Sequence, residues 1–126
     1  MVMGTAFLRC PETKVHPAWA DALAETTPER TILSRAFTGK PGRSIATDYA
    51  CAAVGADAPA PAPYPVQRGL TTPMRLEAQK AGDVQRMQAW AGQSAALARA
   101  ESASVITERV WSQAQALLRE TVIERH

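Results

Sequence analysis

The sequence predicts a mainly α-helical chain with one or two short strands, and three observations carry that prediction. In the last quarter, Ile106, Val110, Ala114, Leu117, Leu118 and Val122 recur at helical spacing, opposite Glu108, Arg109, Arg119 and Glu120. Near the middle, Pro59, Pro61, Pro63 and Pro65 exclude both helix and sheet ladder and leave an extended strap. Only two short runs, Met1 to Leu8 and Arg30 to Phe37, read as strands. With 126 residues, one domain at most is expected. The apolar share of 46% is carried largely by Ala, so the expected core is thin. Seven aromatics can anchor it: Phe7, Trp19, Phe37, Tyr49, Tyr64, Trp90 and Trp111.

The elements follow in order. Met1 to Leu8 is nearly all apolar before Arg9, Cys10 and Pro11 break it, and reads as a buried strand with nothing N-terminal to it. Pro17 to Thr26 reads as a short helix, with Pro17 in its first turn and Trp19, Ala22 and Leu23 at helical spacing. Thr27-Pro28 stops it. In Arg30–Phe37, Ile32, Ser34 and Ala36 alternate with Leu33, Arg35 and Phe37, as in a strand. Thr38 to Arg43 is turn chemistry, and Ser44 to Val54 reads as a short helix. Residues 55–65 form the strap, either a stiff linker or a fixed segment presenting Tyr64. Thr72-Pro73 is expected to open a helix over Met74 to Lys80, which Gly82-Asp83 breaks or kinks. Asp83 is expected to cap a further helix to Ala100, with Val84, Met87 and Ala91 on one face and Trp90, Ser94 and Leu97 beside it. Ser102 or Ser104 caps the last helix.

Several function classes fall away. Charges or prolines interrupt every hydrophobic stretch well short of the ~20 residues of a membrane helix. The N-terminus lacks the basic region of a signal peptide, and Cys10 and Cys51 are too few for a disulfide framework, so a cytoplasmic setting is expected. The net charge of +2 comes from 14 scattered Lys and Arg against 12 acids, which leaves no footprint for nucleic acid. Gly39-Lys40-Pro41-Gly42-Arg43-Ser44 fails as a phosphate loop because Pro follows the lysine, and reads as an ordinary turn. Neither the two histidines nor the two cysteines have metal-ligand spacing, and no nucleophile elbow is present, so no metal and no catalytic residue is assigned. His16, ahead of Pro17, reads as a surface histidine. Gly92 inside a predicted helix marks close packing or, less simply, a ligand contact.

Four runs carry a resemblance: Met3 to Leu8 (MGTAFL), Ala36 to Arg43 (AFTGKPGR), Pro63 to Gln67 (PYPVQ) and Trp90 to Gln93 (WAGQ). In this order, with the strap between them, they resemble the C-terminal part of the nitronate monooxygenase family, the FMN enzymes formerly called 2-nitropropane dioxygenases. The resemblance implies the last strand and the C-terminal helical region of a (β/α)₈ barrel, incomplete because a barrel takes about 250 residues. Residues 1–54 would then hold the last barrel strand and a following helical region, 55–65 the strap and 66–126 the C-terminal helices. The implied parent reaction is oxidation of alkyl nitronates with O₂ through FMN. The resemblance places Met3, Gly4, Thr5 and Ala6 at the FMN phosphate, where a loop after a late strand commonly binds it. It places Tyr64, Gln67, Trp90 and Gln93 on the substrate side. The family's Gly-Gly-His stretch has no counterpart, so the chain is expected to be inactive alone. Its implied partner is the missing N-terminal barrel portion or a second copy, with no nucleic acid and no membrane. The rival expectation is a flavin-free helical interaction module that oligomerises or binds another protein.

Overall fold

A computed structural model describes the backbone of residues 3–123; expectations for Met1, Val2 and His126 lie outside the described residues, as does the side chain of Val122. The described residues are mostly helical, with four α-helices, short 3₁₀ turns and a two-stranded sheet among them. Helix α1 spans Pro17–Ala24, β1 Thr31–Ser34, β2 Gly42–Ile45, α2 Asp48–Ala53, α3 Val66–Ala81 and α4 Ala103–Ile123.

Helix α1 stands where the proline and the apolar spacing put it, and His16 caps it: its Nδ1 accepts the Ala18 N–H at 3.1 Å. Strand β1 pairs antiparallel with β2, Thr31 opposite Ile45 and Ser34 opposite Gly42. The expected helix from Ser44 is therefore corrected at its start. Ser44 and Ile45 belong to β2, and Thr47 opens α2 by accepting the Ala50 N–H. Strand pairing takes these residues because β2 also meets a third segment: Ile45 N–H donates to Ala89 O at 2.9 Å and Ala91 N–H to Arg43 O at 3.1 Å.

That third segment replaces the helix expected over 83–100. Asp83 caps only a short 3₁₀ turn, Val84–Arg86, before the chain runs extended and forms an isolated bridge from Trp90 to Ser44. Met87, Ala89 and Ala91 are buried alternately, a strand period rather than a helical one. Gly92 accordingly lies outside any helix, and a 3₁₀ turn at Ala95–Leu97 follows.

Met3 to Leu8 is not a strand. Thr5–Phe7 form a 3₁₀ turn in which Phe7 N–H donates to Gly4 O at 3.0 Å and Leu8 N–H to Thr5 O at 3.1 Å. With no neighbouring strand among the described residues, the turn satisfies locally the groups that an isolated strand would leave unpaired. Helix α3 begins at Val66, two turns before the expected start, and carries Pro73 inside it. Contacts ahead of the proline hold those turns: Thr71 Oγ1 donates to Phe37 O at 2.7 Å and Gln67 Nε2 to Ala36 O at 2.8 Å. Gly82 ends the helix in the left-handed region, as expected.

The core is thin and made of small residues. One cluster joins Leu23, Ile45, Ala78, Met87, Ala89, Ala91 and Ala95, with Trp19 against it. A second gathers Ala36, Phe37 and Ala50 under Tyr49, Met74 and Trp90. Phe37 lies 5.2 Å from Tyr49 and 5.7 Å, edge-on, from Trp90, in the geometry aromatic pairs prefer.

Gly39 adopts φ +87°, and a Cβ there would stand 2.6 Å from both Ala62 O and Tyr64 N. Gly39→Ala is therefore expected to cost about 1–3 kcal/mol. Gly69, inside α3 with open space at its Cβ position, gives the opposite sign: Gly69→Ala is expected to stabilise by about 0.5–1 kcal/mol. Urea midpoints at constant slope check both.

Candidate functional site

The first residues of the chain fold back onto its C-terminal arm, and three polar contacts hold them there. Thr5 Oγ1 accepts the Gly92 N–H at 2.9 Å, Arg9 Nη1 donates to Ala98 O at 3.0 Å, and Glu12 Oε2 accepts the Ala103 N–H at 2.7 Å. The last supplies a carboxylate to the first turn of α4, where negative charge is favoured. Ser102 caps the same helix, its Oγ facing the Val105 N–H at 3.4 Å.

Between the two segments lies a cleft of about 840 Å³. One wall is Met3, Gly4, Thr5 and Ala6, and the other is Gly92, Gln93 and Ser94. Leu97 to Arg99, Ile106, Arg109 and Gln113 contribute to its remaining sides. Gly4 leaves one side of this wall open, since a Cβ on it would meet nothing within 4 Å. Gly92 packs closely instead: a Cβ on it would come within 3.3 Å of Thr5 Oγ1. The N–H groups of Thr5 and Ala6 precede the first internal hydrogen bond of their turn.

Two charged side chains line the cleft, Arg99 and Arg109, and Glu101 lies beside both. Glu101 pairs with Arg109 and stands 4.0 Å from Arg99, so two guanidiniums share one carboxylate and the group is net positive. Just after the Thr5–Phe7 turn, with its N–H on Phe7 O, Cys10 is 4% exposed; burial, and then the charge of Glu12, push its thiol above the usual thiol range.

The structure brings together Met3, Gly4, Thr5, Ala6 and, of the four substrate-side residues, Gln93. The other three do not line this cleft. Gln67 brackets the strap against the turn after β1: its Oε1 accepts the Ala62 N–H at 2.9 Å while its Nε2 holds Ala36 O. Trp90 packs on Phe37, covers Gly42 so closely that a Cβ there would fall 2.6 Å from the indole, and accepts the Trp19 Nε1–H at its carbonyl. Tyr64 is exposed at the end of the strap, with Lys40 Nζ 4.3 Å from its ring centre. The sequence places Arg109 only on the polar face of the last helix and gives Arg99 no role; the signal available for both is their nearness to Glu101 around the start of that helix. Among the described residues, no group of three or more His, Cys, Asp or Glu is placed to hold a metal ion, and no helix is long and apolar enough to cross a membrane.

Comparison with known proteins identifies the class. The sequence matches the profile of the family described as nitronate monooxygenase over residues 1–112. It is 33% identical over 116 residues to a probable nitronate monooxygenase of Staphylococcus saprophyticus, covering 92% of this chain and 32% of that protein. It is 34% identical over 110 residues to the nitronate monooxygenase of Paraburkholderia phytofirmans, covering 86% of this chain and 30% of that protein. Among solved structures, a nitroalkane oxidase from Streptomyces ansochromogenes superposes with TM-score 0.73 at 42% identity, over 84% of this chain and 30% of that one. A FabK mutant from Thermotoga maritima shares the fold with TM-score 0.65 at 21% identity, over 94% of this chain and 35% of that one. The chain belongs to the nitronate monooxygenase family. It spans about a third of the length of the relatives it matches.

The cross-link between the two walls gives a direct test. Thr5→Val removes the acceptor of the Gly92 N–H and is expected to cost about 1 kcal/mol of local closure. Labelling of Cys10 by a thiol reagent should then accelerate about fivefold, while exposed Cys51 reacts at an unchanged rate.

Proposed function

We propose that this chain forms the cofactor-phosphate end of an FMN-dependent nitronate monooxygenase, whose redox centre is completed by the part of the family's barrel that the chain does not span. The observation that carries the reading is the cleft, in which Met3–Ala6 face Gly92–Ser94 beneath two arginines. Its donor set suits a phosphate monoester. The Thr5 hydroxyl and nearby backbone N–H groups offer hydrogen bonds, and Arg99 and Arg109 exceed the charge of Glu101 by one.

When bound, FMN would accept electrons from an alkyl nitronate and pass them to O₂. The residues of this chain bind and orient. Thr5 spends its acceptor on Gly92 and keeps its hydroxyl proton for a phosphate oxygen. Gly4 lets the backbone approach closely, and Arg109, steadied by Glu101, balances the negative charge. Gln93 supplies an amide at the rim of the same cleft. On this reading Tyr64 stands at the outer edge of the substrate side, at the end of the strap that Gln67 ties through Ala62, while Trp90 packs on Phe37 in the core beneath the turn after β1. His16 is committed to capping α1, so the proton acceptor for the reaction is assigned to the complementary portion of the barrel.

A fluorescence titration of the purified chain tests the reading. FMN is expected to be quenched saturably and to bind at least about tenfold more tightly than riboflavin, a difference of about 1.4 kcal/mol supplied by the phosphate. Gly4→Leu should leave the melting temperature unchanged, because the space beside Gly4 is open, yet fill the cleft and abolish that preference. Equal binding of FMN and riboflavin, or no saturable quenching, would contradict the proposal.

A further inference from the structure

A groove of about 280 Å³ lies between α1, α3 and the extended segment at 87–91, and shares no residue with the phosphate cleft. Trp19, Arg75, Leu76, Gln79, Gln88 and Trp90 line it. Its two indoles are held in place, Trp19 by donating its Nε1–H to the Trp90 carbonyl at 3.2 Å and Trp90 by its edge contact with Phe37. Arg75, partly buried, supplies the charge. Its Nε donates to Thr71 Oγ1 at 3.3 Å and its Nη1 to Gln88 Oε1 at 2.8 Å. Its Nη2 donates to Thr72 Oγ1 at 3.0 Å and to Arg68 O at 3.2 Å. All four acceptors are neutral, and among the described residues Arg75 enters no ion pair. Burial, and then the charge of Arg68, hold this guanidinium below its usual pKa. A charge drawn from water with a like charge nearby and no carboxylate opposite is stabilised by an incoming anion.

We propose that this groove is a binding site for a small aromatic carboxylate, with its ring against Trp19 and Trp90 and its carboxylate on Arg75 and the Gln88 amide. A guanidinium carries five N–H groups, and the four bonds leave one, on Nη1, for the ligand. Gln88 presents a second donor beside it, because its Oε1 is already held by the same Nη1. The neutral acceptors fix the plane of the guanidinium without cancelling its charge, so the site is oriented before the ligand arrives. The groove is at the small end of ligand pockets, which begin at about 300 Å³, and so suits one ring rather than a flavin. An ordinary crevice between packed elements needs no charge, and Arg75 is what sets this one apart. The site does not depend on the phosphate reading of the other cleft.

Chemical shifts of the labelled chain during addition of sodium benzoate test the proposal. The indole N–H resonances of Trp19 and Trp90 are expected to move saturably, while that of Trp111, exposed on α4, stays in place. Benzyl alcohol, which keeps the ring and lacks the charge, should bind at least about tenfold more weakly. Gln79→Glu sets a carboxylate one helical turn from Arg75 and supplies from within the anion that the groove lacks. It should weaken benzoate at least about tenfold while shifting the melting temperature by no more than about 1 °C, because residue 79 is exposed. Leu76→Glu, on the other exposed residue of the groove, is the second variant and should act in the same direction. Benzoate that moves neither Trp19 nor Trp90, or that binds no more tightly than benzyl alcohol, would overturn the proposal. So would undiminished benzoate binding in both glutamate variants. Displacement of benzoate by an equal concentration of inorganic phosphate would also overturn it, since the groove would then read the charge and not the ring.

Discussion

Three hydrogen bonds bridging 87, 89 and 91 residues of sequence, at Thr5, Arg9 and Glu12, set the arrangement on which the rest of the site depends. Each ties a residue of the first thirteen to a backbone group of the C-terminal arm. The partners are main-chain groups at irregular or helix-starting positions, which would otherwise need water or another cap. Satisfying them fixes the separation of the Met3–Ala6 and Gly92–Ser94 walls, and so the width of the cleft. The same fold-back brings Phe7 and Met3 against α4 and gives that helix its contact with the Thr5–Phe7 turn.

The body behind the cleft achieves its packing with little bulk. Ala78, Ala89, Ala91 and Ala95 are fully or almost fully buried, and small residues of this kind let α1, α3 and the extended segment at 87–91 approach closely. Aromatic residues close the remaining gaps: Phe37 between Tyr49 and Trp90, and Trp19 through its hydrogen bond to the Trp90 carbonyl. The strap is part of this frame rather than a free linker, because Gln67 and Gly39 clamp it from two sides. What the frame leaves uncovered is shared among α3, at Val66, Leu70 and Leu76, Leu97, and α4, at Val105, Trp111, Leu117 and Leu118.

The mainly helical class, α1, the last helix and part of the first hairpin were legible because each has a local cause: Pro17, the Ile106–Val110–Ala114 stripe, and the alternation over Arg30–Phe37, of which only Thr31–Ser34 are strand, with Gly39 turning the chain before Gly42 and Arg43 enter β2. The errors arose where a distant partner overrode a local pattern. Val84, Met87 and Ala91 fit a helix by spacing, but Met87, Ala89 and Ala91 fit a strand equally well, and β2 decided between the periods by offering Ile45 N–H and Arg43 O. Pro73 marks a helix start by local rules, yet Thr71 and Gln67 extend α3 ahead of it by bonding to residues more than thirty positions away. Of the candidate site, the MGTA run and Gln93 were legible only through family resemblance. Their common cleft was not, since the bond from Gly92 to Thr5 leaves no trace in local sequence.

On the proposed reading, two segments about ninety residues apart in sequence, Met3–Ala6 and Gly92–Ser94, hold one phosphate group between facing walls. Amide chemical-shift mapping of the labelled chain during addition of FMN examines it most directly. The account predicts that the resonances of Gly4, Thr5 and Ala6 move together with those of Gly92, Gln93 and Ser94, with a single apparent affinity, while Gln67 and Ala62 stay in place. Shifts confined to one of the two segments, or centred on Tyr64 and Trp90, would contradict it.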